Sequence, residues 1–185
     1  MVAFAAAPCS AMHPHHLRTS ALIFLLLSAC GGEAPESSAA RVMAQNAPKQ
    51  MVDLSQFAPP QTEAQLEKQL DKVIVLVAPK LEPTEYRFQG EVDKRTSQSH
   101  MLVLRYGHCY RIIGVGSAGI EDLDLALLDS HDIERTRDLS SDRFPVIGLD
   151  PEFCPNVSAG YRLEVRAYSG AGRYSLAVMQ TPAQY

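Results

Sequence analysis

Gly160-Tyr161-Arg162-Leu163-Glu164-Val165-Arg166-Ala167-Tyr168-Ser169-Gly170-Ala171-Gly172-Arg173-Tyr174-Ser175-Leu176-Ala177-Val178 holds the clearest periodicity in the 185-residue chain. Tyr161, Leu163, Val165 and Ala167 alternate with Arg162, Glu164 and Arg166, the period of two that makes one face of a strand apolar and the other charged. Tyr174, Leu176 and Val178 repeat the inward set, and Ser169-Gly170-Ala171-Gly172 supplies a tight connection. The pattern predicts two half-buried strands joined as a β-hairpin.

Working outward, similar short runs rich in Tyr, Val, Ile and Leu lie near 86–92, 99–106, 109–115, 122–128 and 144–149, separated by Gly, Pro, Ser and Asp. With the two above, they predict an antiparallel β-sandwich across 84–180. Ahead of it, Thr62 and Gln65 have the spacing of a capping box. Leu66, Leu70, Val73, Ile74, Val77 and Leu81 then recur at helical spacing, which predicts a helix from about 62 to 78 within a leading segment 62–81. The β-branched run Val73-Ile74-Val75-Leu76-Val77 competes with it as a buried strand.

Gly160-Tyr161-x-Leu163-x-Val165 and Gly170-x-Gly172-x-Tyr174-x-Leu176-x-Val178 together resemble the closing hairpin of bacterial pre-peptidase C-terminal domains. Asp122-Leu123-Asp124-Leu125-x-Leu127-x-Asp129 resembles that family's central strand, so the likeness covers roughly 99–180. It implies a mainly β, jelly-roll-like sandwich of a kind appended to secreted peptidases and implicated in secretion or in binding substrate surfaces. No peptidase precedes it here, which removes any basis for proposing proteolysis.

At the other end, Leu27-Ser28-Ala29-Cys30 closes the apolar run from Ala21 to Ala29 and resembles the lipobox of bacterial lipoprotein signal peptides. The resemblance implies cleavage of residues 1–29, acylation of Cys30 with fatty chains such as palmitate, and a domain held at a cell-envelope membrane, facing periplasm or exterior. An ordinary secretory cleavage is the competing reading, with Cys30 left as a thiol. The run is far shorter than the roughly 20 residues that span a bilayer. Met12 is an alternative start. Gly31 to Gln61, rich in Gly, Ala, Ser, Pro and Gln, extends the lipidated residue into a flexible tether over 30–61, on the order of 30 Å in reach. Met51 to Leu54 and Phe57 are its most orderable part.

The chain has 17 basic and 21 acidic residues, and only Arg18 falls within 1–29; the remainder therefore carries 16 against 21, a formal charge of −5. With no basic cluster, this excludes nucleic acid as a partner by charge. Cys109 and Cys154 form an even pair in a compartment where disulfides persist, and are expected to bond to each other. A loop of about 45 residues gives roughly 4 kcal/mol of stabilisation on the chain-entropy argument.

Gly114-x-Gly116-x-x-Gly119 matches a dinucleotide fingerprint in letters, but the leucines that follow alternate at period two where a helix would be needed. Acidic residues gather between 121 and 142. Calcium is the one cofactor this pattern raises, with Asp129, Asp132 and Asp138 as candidate ligands because they fall in or near loops. Asp122 and Asp124 are assigned to the solvated face of their strand. His100, His108 and His131 sit in no catalytic motif and Ser117 in no nucleophile elbow, so no catalytic residue is assigned.

Two functions follow from these readings. One is a non-catalytic interaction module offered to another envelope protein; the other is a glycan- or polymer-binding module, calcium-dependent if Asp129, Asp132 and Asp138 converge. Exposure of Tyr106, Tyr110 and Tyr168 in one plane would favour the second.

Overall fold

The computed structural model describes residues 52–182. The signal-peptide and lipidation readings, Cys30 included, lie outside the described residues. A helix, α1 (Glu63–Val77), precedes eight strands: β1 (Glu82–Val92), β2 (Ser97–Leu104), β3 (Tyr110–Gly116), β4 (Ile120–Leu128), β5 (Glu134–Arg137), β6 (Val146–Ile147), β7 (Ala159–Gly170) and β8 (Gly172–Gln180). They form two antiparallel four-stranded sheets, ordered β1-β8-β3-β6 and β2-β7-β4-β5. Apart from the β4–β5 hairpin, each strand passes to the opposite sheet, the winding of a jelly roll.

The predicted strands at 160–168 and 173–179 exist, but they do not pair with each other. β7 lies between β2 and β4, whereas β8 lies between β1 and β3, so the connection at Gly170 is a corner from one sheet to the other. The alternation could not separate these outcomes. A hairpin and a sheet-crossing pair both place Tyr161, Leu163, Val165, Tyr174, Leu176 and Val178 in one core, and all six are buried there. The corner requires glycine: Gly170 has φ 83°, and a Cβ on it would strike the Gly119 carbonyl.

Neighbouring strands show why their periodicities differ. β7 keeps one solvated face and alternates in burial, while β8 is buried continuously from Tyr174 to Met179. The reason is α1, which lies over the outer face of the β1-β8-β3-β6 sheet. Leu66, Leu70, Val73 and Val77 pack on Ile113, Val115, Ala177 and Met179 as a second core. Each of those four helix side chains contributes about 1.5–3 kcal/mol by leaving water. The run 73–77 is helical, not a strand: Val73 and Val77 are buried but Val75 between them is 69% exposed, a spacing only the helical period produces. At the start of α1, the Thr62 hydroxyl accepts from the Gln65 N–H and the Gln65 side chain accepts from the Thr62 N–H, completing the capping box.

Ordered chain begins before the tether boundary at 61. Leu54 is buried, Phe57 packs on Phe144 at 6.1 Å, and the Pro60 carbonyl accepts from the Ala118 N–H. Three anchoring groups within seven residues give this arm enough burial to hold against the domain. β5 escaped prediction because Glu134-Arg135-Thr136-Arg137 has no apolar face. Gly114 and Gly116 open no nucleotide site. They let residues 143–145 run close over β3, where the Pro145 and Arg143 carbonyls accept from their N–H groups.

Glu67 fastens α1 to the sheet from its solvent side. Its carboxylate accepts from Arg87 (2.6 and 2.8 Å), Gln89 (2.7 Å) and the buried Ser175 hydroxyl. Burial pushes its pKa up, but the hydrogen bonds from Ser175, Gln89 and Arg87 outweigh this and hold it below its ordinary 4.5. A carboxylate whose pKa is depressed on folding stabilises above its unfolded value and loses that contribution as pH falls through the folded one. Glu67→Gln is therefore expected to lower the thermal midpoint at neutral pH and to flatten the acid loss below 4.5. Parallel wild-type and variant melting curves across that range would show that Glu67 does not couple to folding.

Candidate functional site

At one end of the sandwich an open groove of about 850 Å³ lies between the 52–55 arm, the end of α1, β5, the crossover 138–144, β6 and the loop 148–153. Its apolar lining includes Leu54, Phe144, Val146 and Leu149, and Leu139 stands at its lip, 88% exposed. Five carboxylates, Asp53, Asp138, Asp142, Asp150 and Glu152, border it against two guanidinium groups, Arg135 and Arg137. Both cations are engaged, Arg135 with Asp129 at 3.8 Å and Arg137 with Glu134 at 2.5 Å. The wall is thus apolar with a negative excess.

Arg111 holds two sides of this groove together. Its side chain leaves the outer face of β3 and is 9% exposed. It donates to the carbonyls of Val77, Gly148 (2.8 Å) and Leu149 (2.9 Å) and pairs with Glu152 at 2.6 Å. Val77 closes α1, whose last turn has no base of its own, so Arg111 supplies from another element the cation a helix C-terminus favours. One residue beyond the loop 148–153, Cys154 is bonded to Cys109 at the start of β3. The expected pairing is therefore present, and beside it Tyr110 and Phe153 exchange N–H···O bonds of 2.7 and 3.0 Å.

The crossover is shaped by two aspartates. Asp138, 8% exposed, accepts from the Val146 N–H (3.0 Å) and the Ser140 hydroxyl (2.9 Å); Asp142 accepts from the Phe144 N–H (2.6 Å). Burial pushes the Asp138 pKa up, partly opposed by those hydrogen bonds. Asp122 and Asp124 on β4 stand close by and are half-buried, not simply solvated. Burial raises both, and for Asp122 the charges of Asp124, Asp138 and Asp142 raise it further. One Asp122 carboxylate oxygen is buried without a hydrogen-bond partner.

The calcium candidates are not brought together. Asp129, in the β4–β5 turn, accepts from the His131 and Ile133 N–H groups, Asp132 pairs with Arg162 at 2.7 Å, and Asp138 lies in the groove wall. Among the described residues no group of three carboxylate, imidazole or thiol side chains has an arrangement that could hold a metal ion. The tyrosines are also separated. Tyr110 is buried with its hydroxyl accepting from the Arg105 N–H. Tyr106 follows β2 and bonds Ser158 through its N–H, near the start of β7, while Tyr168 lies near the end of β7, roughly 30 Å away along the strand. His100 contacts the Tyr174 hydroxyl at 2.9 Å and His108 the Thr181 carbonyl at 3.1 Å, both structural links between strands or loops. The groove had no motif to reveal it, because most of its lining comes from the stretch 135–153, which has no sustained period, and the rest from the 52–55 arm and Val77.

No family model matches the chain. No curated protein matches it either. Among solved structures it is similar to the pre-peptidase C-terminal domain of a collagenase from Bacillus anthracis, with 16% identity and a TM-score of 0.40 over 52% of this chain and 89% of that one. It is also similar to PliG of Aeromonas hydrophila, a periplasmic lysozyme inhibitor of g-type lysozyme, with 14% identity and a TM-score of 0.39 over 56% of this chain and 90% of that one.

The elevated aspartates set a pH response opposite to that of Glu67. For an acid whose pKa is raised on folding, the charged form costs stability at neutral pH, and the cost is relieved as pH falls through the raised value towards the ordinary 3.8. Asp122→Asn is expected to raise the thermal midpoint at neutral pH and to reduce the gain on mild acidification. A lowered midpoint at neutral pH would contradict the repulsion among Asp122, Asp124, Asp138 and Asp142.

Proposed function

We propose that this protein is a lipid-anchored envelope protein, tethered through Cys30, whose sandwich docks a segment of another envelope protein in the groove beside Arg111. The observation that carries this reading is the groove itself: an apolar lining left open to solvent, bordered by more carboxylates than cations. An apolar segment carrying Lys or Arg satisfies both features, since it covers Leu139 and Leu149 while meeting the negative border.

The reading is of a non-catalytic module. Asp138, Asp142 and Glu152 hold loop N–H groups, a hydroxyl or Arg111, and His100 and His108 hold strands and termini. They are committed to structure. The separation of Tyr106, Tyr110 and Tyr168 favours a protein segment over a glycan as the occupant, because those rings cannot form one stacking platform.

The test uses the full-length chain in native envelopes with a photo-reactive residue at Leu139 or Leu149, and at Tyr168, exposed on β7 and outside the groove lining, as a control. Capture of the same protein from Leu139 and Leu149 but not from Tyr168 is expected, through a peptide that contains Lys or Arg beside apolar residues. Asp53→Lys should reduce its yield and Cys30→Ala should abolish it. Equal capture from Tyr168, or cross-linking to glycan instead of protein, would sink the proposal.

A further inference from the structure

The four edge strands are not equally protected against pairing with other chains. β1 carries Pro83, a register break between Pro83 and Arg87, and several charges. β5 is four residues long with three charges, and β6 is two residues long. These are the usual guards of a sheet edge. β2, Ser97-Gln98-Ser99-His100-Met101-Leu102-Val103-Leu104, has none of them: no Asp, Glu, Lys, Arg or Pro, and an unbroken register with β7 from end to end. On its solvent face Met101 and Val103 are 66% and 57% exposed.

The hydrogen bonds show which part of this edge is open. The Val103 N–H donates to the Tyr86 hydroxyl at 3.0 Å, so the odd-numbered residues of β2 direct their N–H and C=O groups away from β7. The next outward N–H, that of Arg105, is taken by the Tyr110 hydroxyl at 2.9 Å. Ser97, Ser99 and Met101 keep outward N–H and C=O groups without a partner among the described residues.

The geometry points to a second copy of this chain as the occupant of that edge, paired antiparallel about a two-fold axis at His100. In this register Ser99 of one copy faces Met101 of the other. Every outward N–H and C=O group of Ser99 and Met101 is then bonded, while Ser97 faces Val103, whose N–H stays with Tyr86. Centring the axis on Met101 would set Ser99 against Val103, whose N–H Tyr86 already holds, and centring it on Ser99 would pair Met101 with Ser97 and carry the two exposed Met101 side chains apart. The chosen register also brings the two exposed Met101 side chains into diagonal contact. Because β2 itself carries no formal charge, two copies approach without repulsion along the strand. Arg95 and Arg105 lie just beyond its two ends and meet across the axis, so added salt strengthens the pairing.

Sedimentation equilibrium of the purified full-length chain is expected to show a concentration-dependent monomer–dimer equilibrium that tightens with salt. Two double variants test the register, Ser99→Lys with Met101→Lys and Ser99→Asp with Met101→Asp. Both positions are exposed, and retention of the fold is checked by circular dichroism. Each variant alone places like charges opposite one another and should weaken dimerisation about tenfold or more, while an equimolar mixture should restore it. A wild-type chain that stays monomeric, variants that dimerise as the wild type does, or a mixture that is not rescued would overturn the inference.

Discussion

The Arg111 guanidinium is the point where the layers of this protein are tied together. Placing a cation under a helix costs desolvation energy of several kcal/mol, and it is tolerated only where carbonyls and a carboxylate take up its donors. Here the acceptors come from two elements far apart in sequence, the last turn of α1 and the loop 148–152. The helix end and the loop therefore share one group, and the groove between them inherits its shape from that bond set. The Cys109–Cys154 bond fixes the same loop to the same strand by covalent means. Packing, charge and covalency converge on β3.

The second organising constraint is that only one sheet is covered. Beneath α1, β3 and β8 are buried on both faces and read as near-continuous apolar runs. The other sheet faces water, so β7 alternates along its length and β4 alternates from Leu123 onward, past the bulge at Asp122. Alternation made β7 the most legible element in the sequence, and the capping box made α1 legible. What periodicity could not convey was connection. Two strands with one inward set can be neighbours in a sheet or opposites across a core, and the difference rests on the Gly170 corner against the Gly119 carbonyl.

Less of the candidate site was legible. Cys109 and Cys154 were readable as a pair because parity and compartment constrain them. Asp138 drew notice as a carboxylate near a loop, yet its physical role is to hold Val146 and Ser140 and so to shape the crossover. Arg111 gave no signal: a lone arginine between Tyr110 and Ile112 looks like the polar phase of a strand until α1 is placed over it. The arm from Leu54 to Pro60 was hidden for a related reason. Its few apolar residues have no period, and its order depends on surfaces contributed by Phe144 and Ala118.

Hydrogen exchange of wild-type protein and Arg111→Met, followed by mass spectrometry, tests most directly whether this one side chain couples the helix end to the groove loop. The account predicts that amides at 74–78 and at 148–153 lose protection together while β2, β4 and β7 keep theirs. Loss at only one of the two segments, or an even loss across both sheets, would contradict it.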